Sequence, residues 1–328
     1  MSYGAFTYNK LQLGGESSSG TAVAADFIWR GPFGDVQDGR TRNVSEEQVG
    51  LLVPAERSYD SRLTAMLTMP ETELTYEQFP HILEASLGAV EPSGAGPYVY
   101  AYSFPTGTTP NTLKTYTIEA GNAVVTGDVR EVPYCFVESF TISGTTGEAW
   151  KMSANWRGQR VVSSSFTSAL SLAAVEEAIF SNTSVYIDAS GGTIGNTQVA
   201  GVLVAASFDV TTGVIPVFTG DGVLYYTAHK FTRPTINFTL TLELHSGGNV
   251  RTERTQYENN AVRLIRLACP GTSDRDMQID FAAKYDEVGG YENTEEDTTV
   301  QLQGHVVYSP TDDLFFEPTV TNNLTALP

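Results

Sequence analysis

The amino-acid sequence predicts a mainly β protein of the α+β kind, two strand-rich units that each pack one helix. Composition is the first reason: of 328 residues 41% are hydrophobic and only 17% charged, with 30 glycines and 16 tyrosines. Together with abundant Thr, Ser and Val, this suits pleated, half-buried surfaces joined by tight turns. The second reason is recurrent apolar–polar alternation with a period of two. The third is that one arrangement, strand, turn, capped helix and glycine, occurs in both halves. A chain of this length can bury a full core as one or two domains, and the recurrence places two, at 1–165 and 166–328.

In chain order, Gln12 to Ala25 holds Gly14, Gly15, Ser17 to Ser19 and Gly20, the composition of a flexible N-terminal arm. Residues 31–57, Gly31 to Arg57, lack sustained periodicity and read as a long loop, which in a compact protein usually has a function. Leu63, Ala65, Leu67 and Met69 then alternate with polar neighbours as a strand, which Pro70 should end. Thr75 with Gln78 forms a capping-box signature ahead of Phe79, Ile82, Leu83 and Leu87 on one helical face, with Pro80 in the first turn and Gly88 as the stop. Further strands are expected over Tyr98 to Phe104, Leu113 to Ile118, Phe136 to Ile142 and Trp150 to Trp156. The first two have no evident counterpart in the second half. Leu172 to Phe180 could form a short helix after the Ser-rich Ser163 to Ser171.

The second half repeats the scheme. Ile236, Phe238, Leu240, Leu242 and Leu244 alternate as a strand, and Ser246 to Gly248 turn the chain. Thr255 with Glu258 repeats the capping signature, with Tyr257, Ala261, Leu264, Ile265 and Ala268 on one face and Pro270–Gly271 as the stop. Strands are then expected over Ile279 to Tyr285 and Val300 to Tyr308.

Charge and motifs exclude several classes of function. With 38 acidic against 19 basic residues the formal charge is -19, which argues against a broad face that grips nucleic-acid phosphates. Cys135 and Cys269 stand alone, without metal-ligand spacing, and are expected as buried small hydrophobes. Met1 to Leu13 has one Lys and no apolar core segment, so no secretory leader is expected, and no apolar run is long enough for a membrane helix. The phosphate-loop, dinucleotide, zinc-protease, serine-hydrolase and EF-hand signatures are all missing, so the chain is expected not to be an enzyme. No catalytic, cofactor-binding or metal residue and no cofactor is assigned.

The weighed candidates are few. His81, His229, His245 and His305 are scattered. Glu292, Glu295, Glu296 and Asp297, with Asp312 and Asp313, could supply paired carboxylates or a cation site, but a solvated hairpin loop or a repulsive acidic lining fits the segment 292–297 better. Trp150 and Trp156 could form a sugar platform, although their even spacing favours core packing on one strand face.

Several stretches, taken in order, resemble the tail tube proteins of long, non-contractile bacteriophage tails. They are the opening Leu11-Gln12-Leu13-Gly14-Gly15-Glu16-Ser17-Ser18-Ser19-Gly20-Thr21-Ala22, the strand and helix from Thr64 to Gly88, Phe136-Val137-Glu138-Ser139-Phe140-Thr141-Ile142-Ser143-Gly144, and the closing Thr321-Asn322-Asn323-Leu324. The resemblance covers most of the chain. It implies two tandem tail-tube-like β-sandwich domains, each with one flanking helix, that contribute to a ring-shaped β-barrel. It further implies a virion protein of the tail, made in the host bacterial cytoplasm, that self-associates into stacked trimeric (pseudo-hexameric) or hexameric rings. Tape-measure protein and DNA would occupy the lumen without specific binding, and other tail proteins would sit at the ends. The arm and the 31–57 loop are then expected to contact neighbouring subunits and rings. The rival expectation is a tail-tip, fibre or decoration protein that binds a host surface.

Overall fold

The computed structural model describes residues 4–32, 34–50, 52–53, 57–244, 249–272, 274–294 and 297–327. The first half contains β1 (Asn9–Gly15), β2 (Phe27–Ile28), β3 (Asp35–Asp38), β4 (Thr41–Val44), β5 (Ser58–Arg62), β6 (Ala65–Glu73), α1 (Phe79–Glu84), β7 (Tyr98–Ala101), β8 (Tyr116–Asn122), β9 (Arg130–Thr145), β10 (Lys151–Gly158) and β11 (Val162–Ser163). The second contains β12 (Ser184–Ala189), β13 (Leu203–Thr211), β14 (Val214–Val217), β15 (Ala228–Phe231), β16 (Thr235–Glu243), α2 (Asn249–Glu258), β17 (Arg263–Pro270), β18 (Asp276–Val288), β19 (Glu292–Thr294), β20 (Asp297–Val306) and β21 (Phe316–Asn322). The protein is mainly β, with large antiparallel sheets that do not close into a barrel within one chain.

The strand pairings carry the repeat further than the residue pattern did. In the first half β3 pairs with β6, β6 with β10, β10 with β9, β9 with β8 and β8 with β1. The same order runs β13, β16, β20, β18, β17 and β12 in the second. β11 lies on β9 as β21 lies on β18. Each half also inserts a two-stranded hairpin at the same point, β4–β5 between β3 and β6 and β14–β15 between β13 and β16. Strand β8, expected to have no counterpart, therefore corresponds to β17, whereas β7, the other strand so expected, has none and pairs with β21 of the other half.

β9 and β18 are long because each serves two sheets. β9 pairs with β8 through its N-terminal part and with β10 and β13 through its C-terminal part. The change occurs at a bulge that leaves Pro133 and Tyr134 without partners on β8, and Tyr134 holds φ +58°, as expected where an extra residue re-aims a strand. The main core fills the space between the sheets and runs through both halves, with Trp150, Trp156, Phe208 and Phe281 fully buried. Cys135 and Cys269 are buried too, as expected.

Four expectations need correction. Gln12 to Ala25 is not a flexible arm: β1 pairs along its length with β8, and Glu16 is buried. Its carboxylate accepts hydrogen bonds from Gly20 N, Thr115 Oγ1, Thr117 Oγ1 and Tyr134 N at 2.7–2.9 Å, so the Gly/Ser run is a turn wrapped around an anion. Within 31–57, Asp35–Asp38 and Thr41–Val44 are the strands β3 and β4. Pro70 does not end β6, which continues to Glu73, because a bulge opposite Met152 and Ala154 and a place beyond the reach of β3 spare it an N–H.

The fourth concerns helices. Thr75 Oγ1 does accept from Gln78 N at 3.2 Å, and the regular helix starts only at Phe79 with Pro80 in its first turn. In the second half the helix expected from Thr255 lies earlier, at Asn249–Glu258, and Arg263–Pro270 is strand β17. The run 263–270 satisfies both periods, and Arg263 is buried because it makes a bidentate pair with Glu253 of α2 at 2.8 Å. Leu172 to Phe180 forms no α-helix: Ala178 N donates to Leu74 O and Trp150 N to Ala178 O, which keeps the backbone extended. The turn expected at Ser246 to Gly248 falls outside the described residues.

Candidate functional site

The weighed titratable residues do not converge. His81 is a fully buried residue of α1, its Nδ1 3.1 Å from Tyr116 Oη, and burial pulls its pKa down to about 3, with Lys114 adding to the effect. His229 Nδ1 meets Tyr134 Oη at 3.1 Å, and burial lowers its pKa. His305 pairs with Asp286 at 2.8 Å on the surface. His245, Glu295 and Glu296 lie outside the described residues. Glu292 and Asp297 stand in β19 and β20 at one side of the main sheet, while Asp312 accepts from Ser190 Oγ, Ser309 Oγ and Gly191 N in a closed turn. Among the described residues no group of His, Cys, Asp or Glu side chains could hold a metal ion. Trp150 and Trp156 both lie in the core, their indole N–H groups donating to Thr183 Oγ1 and Met69 Sδ.

What the fold does assemble is a surface. The pairing of β9 with β13, from Thr145 opposite Ala205 to Ser139 opposite Thr211, joins the halves into one run of strands. Its order is β3, β6, β10, β9, β13, β16, β20 and the C-terminal part of β18 continued by β19. Every pair is antiparallel. Among the described residues β3 pairs only with β6 and β19 only with β20, so the run has an open edge at each end.

One face of this run is packed on the core and the other is open. Alternation along each strand decides which residues point outward: β10 shows Ser153, Asn155 and Arg157 between buried Met152, Ala154, Trp156 and Gly158. Across the strands, Ser153, Thr141, Asp209, Asn237, His305 and Lys284 lie in register, and so do Lys151, Ser143, Ser207, Thr239 and Gln303. Thr141 Oγ1 donates to Asp209, and Asn155 links Thr68 to Ser139. Arg157 is held bidentate by Glu138 at 2.9 Å. Short hydroxyl and amide side chains thus dominate, and the Arg157 guanidinium is paired.

No family model matches the chain, and no curated protein matches it. The surface must therefore be read from its own chemistry. A broad face of mainly hydroxyl and amide groups, with scattered charges at Lys151, Asp209 and Lys284, offers neither the convergent acids and bases of a catalytic centre nor the cationic stripe of a nucleic-acid binder. The open edges are different, because unpaired strand N–H and C=O groups form a template for another strand.

The hairpins complete the site. β14–β15 folds back on the first half, where Tyr226 and Val214 are fully buried beside Tyr134 and Phe136. Gln159 Nε2 donates to Tyr226 O, Leu63 N to Leu224 O, and the Arg62 guanidinium lies 3.7 Å over Phe218. β4–β5 contrasts with it, leaving Val44, Val49, Leu52, Val53 and Tyr59 exposed. Aperiodicity marked 31–57 as a loop with a function but did not mark 212–234 as having the same place in the repeat. The inserted intervals, 39–40 before β4 and 212–213 before β14, each containing one glycine, were the available signal.

Proposed function

We propose that the chain is the major tail tube subunit of a long, non-contractile phage tail, a structural virion protein and not an enzyme. Copies polymerise as stacked rings into a hollow tube that conducts DNA into the host. The observation that carries this reading is the continuous antiparallel run through both halves with an open edge at each end. With eight strands of alternating direction, β3 and the β18–β19 edge are antiparallel to each other. Copies placed side by side therefore continue the same pairing, and closure removes every free edge.

In this reading the hydroxyl and amide face lines the lumen, beside tape-measure protein and DNA. The chain's charge of -19 repels phosphates, and a lining mainly of hydroxyls and amides gives them few groups to hold as DNA slides. Other tail proteins cap the ends. Two repeated halves per chain support trimeric rings of pseudo-sixfold symmetry, with hexameric rings as the alternative.

Negative-stain electron microscopy of concentrated protein, alone and co-expressed with tail partners, tests the reading. Rings or hollow tubes with threefold or sixfold averages are expected. Particles that stay monomeric in both preparations, and that decorate host cells instead, would replace it with the tail-tip, fibre or decoration reading.

A further inference from the structure

The repeat within the chain supplies its own template for contact between chains. In the joint between the halves, β13 pairs with β9 and the hairpin that follows β13 seats beside the end of β10. The seat is made by residues just before β6 and just after β10: Leu63 bonds Leu224, Gln159 bonds Tyr226, and the Arg160 guanidinium lies 4.2 Å over Tyr225. The matching positions in the second half lie just before β16 and just after β20. They are Arg233 and Pro234, and Val307 and Tyr308, and they line a groove of about 510 Å³ together with Phe104 and Phe315. Tyr308 is 44% exposed there, its hydroxyl donating to Asp313 Oδ1 at 2.8 Å, and among the described residues no counterpart of the β14–β15 hairpin covers it.

The hairpin that lacks a seat is β4–β5. It follows β3 as β14–β15 follows β13, and it carries exposed Val44, Val49, Val53 and Tyr59 where its counterpart carries buried Val214 and Tyr226. The chain thus has one bare hairpin and one bare seat, related as the filled pair is related. We propose that the β4–β5 hairpin of one copy seats in the groove beside Tyr308 of the next copy, as β3 pairs with that copy's β18–β19 edge. The occupant is a second copy of this chain, and the contact is lateral, between copies side by side. The proposal rests on the assembly reading above and deepens it by naming the surfaces.

Both native cysteines are buried, so introduced cysteines report without background. Full-length Val44→Cys, Val49→Cys and Val53→Cys proteins are each mixed with Tyr308→Cys protein, concentrated, oxidised and run on a non-reducing gel. At least one mixture is expected to give a dimer that none of the four proteins gives alone. Tyr308→Ala is expected to raise the concentration needed for half-maximal assembly about tenfold, as for truncation of an interface anchor, while unfolding at the wild-type midpoint. Rings or tubes that form with no such dimer, or with hairpin cysteines linked only to each other, would overturn the seat and leave the tube reading standing. A chain that remains monomeric throughout, tail partners included, would remove both.

Discussion

The hairpins β14–β15 and β4–β5 occupy the same place in the two halves and have opposite surfaces. One buries Val214 and Tyr226 against the first half; the other leaves Val44 at 68% and Tyr59 at 57% exposure. The helices differ in a parallel way. Every residue of α1 is buried, whereas α2 is polar and buries only Val250 and Glu253 among its described side chains. One order of strands has thus been finished with two kinds of contact, apolar burial in the first half and a buried ion pair in the second.

The strongest way to break this comparison is to remove the ion pair. Glu253 accepts from Arg263 at 2.8 Å twice and from Tyr285 Oη at 2.8 Å. Glu253→Ala leaves the guanidinium buried and uncompensated, and should lower the unfolding free energy by about 3–5 kcal/mol, read from the denaturant midpoint. An effect below about 1 kcal/mol would mean that α2 is held otherwise. Tyr226→Ala should cost about as much, about 3–5 kcal/mol, because it empties an aromatic site and removes the hydroxyl that donates to Tyr134 O and Arg157 O.

A smaller effect separates the halves by pH. Glu84 is the last residue of α1, and burial pushes its pKa from 4.5 up to about 7, against the opposing influence of Lys114 and the Tyr116 hydrogen bond. Its folded form thus favours the proton. As pH rises from 4.5 to 7 the unfolded carboxyl ionises and the folded one does not, so stability falls by up to about 1.4 kcal/mol per pH unit over that window. Glu84→Gln should flatten this slope relative to wild type in matched urea titrations; an unchanged slope would remove Glu84 as its source. The smallest effect belongs to the bare hairpin: Tyr59→Ala should change monomer stability by less than about 0.5 kcal/mol, and a large loss would mean that the hairpin already packs within its own chain.

The legible parts of the fold were those in which one strand face alternates against the core. Ile236 to Leu244 and Ile279 to Tyr285 emerge as strands for this reason. The missed parts depend on partners remote in sequence. The Gly/Ser run around Glu16 is ordered by donors at Thr115, Thr117 and Tyr134, and nothing local marks Glu16 as their acceptor. Arg263 looks like a solvated helix residue until Glu253 is placed beside it. The candidate surface was hidden most fully, since the pairing of β9 with β13 joins segments that carry no shared motif, and the open face is a property of rows across strands.

Strand β7 has a mechanical consequence. It leaves the first half between α1 and β8 and adds to β21 of the second, while the equivalent interval after α2, 259–262, is too short to send out such a strand. The joint inside each chain is therefore strapped twice, by β7 and by a hairpin, whereas in the proposed ring a joint between chains would have the hairpin and no counterpart of β7. A cylinder of the proposed kind would carry regularly spaced seams, and circumferential load would part it along those lines while each chain stayed whole.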